Sequence, residues 1–92
     1  MPNRNIHRVP DRIRVELIEA DVEMAFGLVD DARDALQHGD REFGTSALTD
    51  AERVLTDIED RLAQLGAQRS APFGPLLEEL RKSVGSARAE CT

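Results

Sequence analysis

Seven residues, Val15, Ile18, Val22, Ala25, Val29, Ala32 and Leu36, stand 3, 4, 3, 4, 3 and 4 positions apart, an uninterrupted heptad seam. A period of that kind belongs to an α-helix that buries one stripe along its whole length. Pro10 and Asp11 precede it, a proline tolerated in a first turn and an acid that suits the positive end of the helix dipole. The pattern predicts a first helix from about Pro10 to His38.

The helix then meets His38-Gly39-Asp40. Glycine takes the left-handed conformation that ends a helix, and a histidine in the last turn suits the negative dipole end. Asp40 is placed to accept from the first amides of a new helix, with Glu42 in its first turn. A stop followed at once by a start forces two helices to lie antiparallel and adjacent. The second helix is expected over 41–65, with Ala47, Ala51, Val54, Ile58, Leu62 and Leu65 as its stripe and Gly66 as its cap. Phe43, Leu48 and Leu55 flank that stripe. Arg53–Asp57 and Asp57–Arg61 are i,i+4 partners on its outer surface. Pro72 and Pro75 exclude a continuous helix beyond this point. A third, shorter helix is expected from Pro75 to Arg88, with Leu76, Leu77, Leu80, Val84 and Ala87 on one face. Phe73 staples its start, and Glu78–Lys82 is an i,i+4 pair.

The expected fold is therefore all-α: a long antiparallel helical hairpin with a shorter third helix on it, a three-helix bundle. Residues 1–9 form a basic, flexible arm, 10–88 one helical domain and 89–92 a frayed tail. Composition agrees. The chain has 92 residues, three Phe and no Trp or Tyr, and its commonest residues favour helices over strands. A core of this size is marginal and is often supplemented by self-association, which here would complete a larger bundle by dimerisation.

Residues 28–51 resemble a single tetratricopeptide repeat. Leu28 and Ala32 stand at its large and small positions, Gly39–Asp40 at its turn, and Gly44, Leu48 and Ala51 at the small, large and small positions that follow. Asp31, Ala35 and Thr56 depart from the family pattern, both helices are about twice its length, and no second copy follows. The resemblance implies a helical hairpin that binds protein or peptide.

Helix 1 carries a second apolar stripe, Ile13, Leu17, Ala20, Met24, Leu28 and Ala35. At ~100° per residue the two stripes cover roughly 220° of the circumference, where a helix packed on one side needs little more than ~100°. Helix 1 is either the centre of a closed bundle or serves two interfaces. The more regular seam, through Val15, Ile18, Val22, Val29 and Leu36, is assigned to a contact between chains or with a partner. The Leu17–Met24–Leu28 stripe is assigned to the hairpin core.

Charge is uneven along a chain of net charge −6. Residues 1–14 hold four Arg (Arg4, Arg8, Arg12 and Arg14) against one Asp, while residues 15–50 hold ten acids against two Arg. The acidic centre repels nucleic acid, so direct nucleic-acid binding is not expected. Glu16, Glu19, Glu23, Asp30 and Asp34 share the remaining narrow face of helix 1. Glu19–Glu23 and Asp30–Asp34 are like-charge i,i+4 pairs, each costing some tenths of a kcal/mol. Arg12 is placed to relieve Glu16. Such a stripe is either a solvated face or a surface for a basic partner.

Little points to catalysis. His7 lies in the arm and His38 at a helix end, neither in a metal-ligand spacing. Ser70, Ser83 and Ser86 lack a positioned base, and there is no glycine-rich phosphate loop. Gly27, Gly44 and Gly85 read as breakers, caps or close-packing points. Cys91 is the one cysteine, expected as an exposed thiol in the tail, so no intrachain disulfide forms. No cofactor is expected. No run approaches the ~18 apolar residues of a membrane span, and the cytoplasm is the default location. The expected function is a non-catalytic protein–protein interaction module that self-associates through helix 1. The alternative is an acidic decoy that occupies the basic surface of a nucleic-acid-binding protein.

Overall fold

A computed structural model describes residues 10–91. It is all-α, with no strand among those residues. Helix α1 spans Asp11–Gln37 and α2 spans Arg41–Ala63. A single helical turn, α3 (Ala67–Ser70), and a 3₁₀ turn (Ala71–Phe73) lead into α4, Gly74–Cys91. The three long helices form an up-down-up bundle, α4 packing against both arms of the hairpin.

The corner between α1 and α2 forms as the residues dictate. Gly39 has φ 81°, the left-handed region. The Asp40 amide donates to the Ala35 carbonyl at 2.8 Å and the Gly39 amide to the Leu36 carbonyl at 3.1 Å. These are the 6→1 and 5→2 bonds of a Schellman ending, which satisfy carbonyls that a helix end would otherwise orphan. The Asp40 Oδ1 then accepts from the Phe43 amide at 3.0 Å, an N-cap for α2. His38 Nδ1 lies 2.8 Å from the Asp34 carbonyl and 3.7 Å from the Asp34 carboxylate, at the C-terminal end of α1.

Hairpin closeness comes from small residues. Ala25, Ala32, Gly44, Ala47 and Ala51 are all buried between α1 and α2. The remaining core is filled by Ile18, Val29, Leu48, Ile58 and Leu80. Phe73 is buried at the start of α4 and seals one end of the core.

Three sequence-based expectations change here. The heptad seam is the monomer's own core: Ile18, Val22 and Val29 are buried, and Val15 and Leu36 are half-buried against them. The seam therefore does not face outward. The second stripe is split, with Ala35 buried and Leu28 packed against the core while Leu17 and Met24 are exposed. The reason is geometric: α2 and α4 both pack against α1, and the seam is the side of α1 that they cover.

The expected frayed tail is also different. α4 continues past Arg88 to Cys91, because Leu77, Leu80, Val84, Ala87 and Cys91 prolong a 3-4 stripe to the end. Cys91 is buried rather than exposed, its Sγ 3.9 Å from the Thr45 hydroxyl near the start of α2. The basic arm over residues 1–9, including Arg4, His7 and Arg8, lies outside the described residues, as does Thr92.

The third change concerns ion pairs. Arg61 reaches across to Asp21 on α1 at 3.2 Å rather than along its helix to Asp57, and Arg53 pairs with Asp50 at 3.7 Å. Across the α2–α4 seam Arg81 holds Glu59 and Arg88 holds Glu52, each at 2.7 Å. Arg69 ties α3 to Asp11 at 3.5 Å, and Arg14 donates to the Gln64 side chain. Arg61 thus takes an interhelical partner, whereas Arg53 stays within its own helix.

Candidate interaction surfaces

Helix α1 has three faces, and each carries different chemistry. Its seam is spent on the core. A second face presents Leu17, 40 % exposed, and Met24, 53 % exposed, one heptad apart. Leu17 and Phe26 are nine residues apart, which at ~100° per residue sets them on opposite sides of the helix. Phe26 lines a groove with the start of α4, so the Leu17–Met24 face looks away from that groove. Phe43, also 53 % exposed, sits at the start of α2 beside the hairpin corner.

The third face is acidic. Glu16, Glu19, Glu23, Asp30 and Asp34 are all exposed. Arg12 meets Glu16 at 3.9 Å, as its i,i+4 position requires, and His38 is the neighbour of Asp34. Glu19, Glu23 and Asp30 have no ion-pair partner among the described residues. Nearby cations are engaged elsewhere: Arg81 and Arg88 of α4 pair with α2, and Arg33 of α1 points its Nε to Glu90 on α4 at 3.9 Å.

Two concavities border these faces. One, about 500 Å³, lies at the hairpin corner among Asp31, Asp34, Ala35, His38, Asp40 and Phe43. The other, about 420 Å³, runs between α1 and the 3₁₀–α4 junction, with Val22, Phe26, Pro72, Phe73 and Leu76 as its apolar surface and Glu19 and Glu23 at its edge. The sequence pattern had not singled out Phe26, which belongs to neither stripe. Its signal was an aromatic at i+4 from Val22 and i+3 from Glu23, on the flank that α4 leaves partly open.

Among the described residues no group of three or more His, Cys, Asp or Glu is arranged to hold a metal ion. No helix among them is long and apolar enough to cross a membrane. Comparisons with protein-family models, curated proteins and solved structures returned no match.

Proposed function

We propose that this chain is a non-catalytic interaction module that self-associates through the Leu17–Met24 face of α1. The observation that carries the reading is the exposure of these two large apolar side chains on a helix whose seam is already buried. Ile13, Leu17, Ala20, Met24 and Leu28 recur at 4, 3, 4 and 4 positions, a spacing that lets two copies of α1 pack side by side and turn two hairpins into one larger bundle. The likeness of residues 28–51 to a tetratricopeptide hairpin points toward protein binding as well.

The magnitude is modest. Newly burying half of a Leu or Met side chain contributes about 1 kcal/mol, and a two-fold dimer counts each twice. These two side chains therefore give about 4 kcal/mol before the entropic cost of association, which on their own supports dissociation constants no tighter than about millimolar, and tighter association needs Ile13, Ala20 and Leu28 as well. Sedimentation velocity over a wide concentration range tests this. The wild type is expected to shift from monomer to dimer, and a Leu17→Glu/Met24→Glu variant to remain a folded monomer. A wild type that stays monomeric at the highest concentrations sinks the self-association reading.

A second reading, an acidic decoy for the basic surface of a nucleic-acid-binding protein, is supported by the unpaired carboxylates of Glu19, Glu23 and Asp30. Binding of that kind collapses as ionic strength rises, whereas apolar docking persists.

A further inference from the structure

We infer that the groove between α1 and the start of α4 is a docking site for a basic amphipathic helix of a partner protein. Its floor is made of Val22 and Phe73, both buried, with Phe26 half-buried beside them. Leu76, 41 % exposed, and Pro72 form the far wall. The space of about 420 Å³ falls in the roughly 300–1,000 Å³ range of pockets that take an anchoring group. A closed bundle has no use for this opening.

Charge selects the occupant. Glu19 and Glu23 stand on the groove's edge as a like-charge i,i+4 pair with no cation beside them among the described residues. Apolar anchors seated on Phe26 and Phe73 bring an occupant's flanking Lys or Arg side chains against these carboxylates. Such contacts remove a repulsion as well as add an attraction. The acidic face continues from Glu16 to Asp30, fourteen residues or about 21 Å of helix, the length of an occupant helix of four turns. An extended peptide has no strand edge to pair with among the described residues, so the helix-in-groove mode is the one available.

The helices of a second copy do not fit. α1 and α2 are acidic, and α4 is not basic either: Glu78, Glu79 and Glu90 balance Arg81, Lys82 and Arg88, and two of those cations are committed to α2. This inference extends the interaction-module reading but uses the opposite side of α1 from Leu17 and Met24. Peptide binding and solution mass therefore fail independently.

The test uses the full chain and a fluorescein-labelled Leu/Lys peptide of about eighteen residues, patterned as an amphipathic helix of ~27 Å. Two control peptides are used, one shuffled so that Leu and Lys no longer segregate and one with Glu in place of Lys. Fluorescence anisotropy should show the amphipathic basic peptide binding about tenfold or more tighter than either control. Leu76→Ser and Glu19→Lys/Glu23→Lys should each weaken it about fivefold or more, with circular dichroism unchanged, while the charge-matched Asp57→Lys/Asp60→Lys stays within about twofold.

Equal binding of the shuffled peptide, or indifference to Leu76→Ser, would reduce the groove to a general electrostatic attraction and overturn the inference. A full-length Arg4→Glu/Arg8→Glu variant that binds the peptide about tenfold more tightly would assign the groove to the chain's own arm instead. Loss of a wild-type dimer in Glu19→Lys/Glu23→Lys would assign it to a second copy, again against the inference.

Discussion

Gly44 on α2 meets Leu36 on α1 with no space between them: a Cβ at position 44 would lie 3.0 Å from the Leu36 Cγ and Cδ2 and 3.3 Å from the Ala32 carbonyl oxygen. The hairpin is drawn together at this point, one helical turn after the corner. Alanine there gains about 1 kcal/mol of helix propensity. It must also displace a half-buried leucine and press on backbone, an overpacking cost of about 1–3 kcal/mol. Gly44→Ala is therefore expected to lower stability by about 1 kcal/mol net, with a melting temperature some 4–8 °C lower.

Gly27 is the internal control. It lies in the middle of α1, exposed, and a Cβ there would meet nothing within 4 Å. Gly27→Ala is expected to stabilise the chain by about 0.5–1 kcal/mol, through propensity and a less flexible unfolded state. Urea titrations of the two variants should move in opposite directions. A Gly44→Ala protein as stable as Gly27→Ala would mean that the helices are not in close approach there.

The corner makes a separate prediction. Alanine at Gly39 is strained at φ 81°, and alanine at Asp40 removes the acceptor for the Phe43 amide. Together the substitutions are expected to cost about 1–3 kcal/mol, or to open the hairpin into one long helix that swaps between two chains. Light scattering distinguishes these outcomes. Asp40→Asn should retain most of the stability, since asparagine caps nearly as well. Unchanged melting temperature and mass in the double alanine variant would remove the corner from its assigned role.

Much of the fold was legible because local signals agreed with one another. Gly39, Asp40 and the 3-4 spacing of Ile18, Val22, Ala25 and Val29 each specify a helix, its end or its buried side without reference to anything distant. The use of the two stripes was not legible in the same way. Periodicity says that a stripe is buried, but not by what, and both stripes of α1 pass that test. What decides is the position of α4, set by Phe73 and by the pairs Arg81–Glu59 and Arg88–Glu52 across α2. Cys91 was misplaced for a simpler reason. Nearness to the end of the chain outweighed a spacing from Ala87 that continues the buried stripe of α4. The groove needed the third dimension altogether, because Phe26 and Leu76 are fifty residues apart.

Arg88 and Glu52 offer a test of how α4 is held. Two contacts join them, Nη2 to Oε1 at 2.7 Å and Nε to Oε2 at 3.3 Å, a fork-to-fork geometry. The hydrogen bond to Glu52 raises the Arg88 pKa, so the guanidinium stays charged to higher pH than usual. Stability from a raised base is fully present below its unfolded value and is lost only as pH rises through the folded one, far into the alkaline range. Substitution is thus the practical probe. A double-mutant cycle with Arg88→Met and Glu52→Gln is expected to give a coupling of about 0.5–1 kcal/mol, since both side chains are partly solvated. The coupling should shrink in ~1 M salt. A coupling of zero would mean that this pair adds nothing to the docking of α4, which then rests on apolar packing and the Arg81–Glu59 pair.

The two stripes of α1 give the sharpest contrast. Val22 is 7 % exposed in the core cluster with Ile18, Ala25 and Phe73, and the charged groups beside it, Glu19 and Glu23, are carboxylates that repel another negative charge. Val22→Asp buries an unpaired carboxylate, costs several kcal/mol and is expected to unfold a domain of this size. Met24 is only two residues away but 53 % exposed, so Met24→Asp loses little burial and leaves the charge in water. That variant should keep its helicity and its cooperative melt while losing concentration-dependent association. Circular dichroism and sedimentation on the same samples separate the effects, since one reads folding and the other mass. A folded Val22→Asp beside an unfolded Met24→Asp would return the core to the Leu17–Met24–Leu28 stripe and reverse the packing described here. If Val22→Asp unfolds, Met24→Asp folds and the wild type never associates, α1 lies at the edge of a closed three-helix core and its exposed side chains serve no second copy.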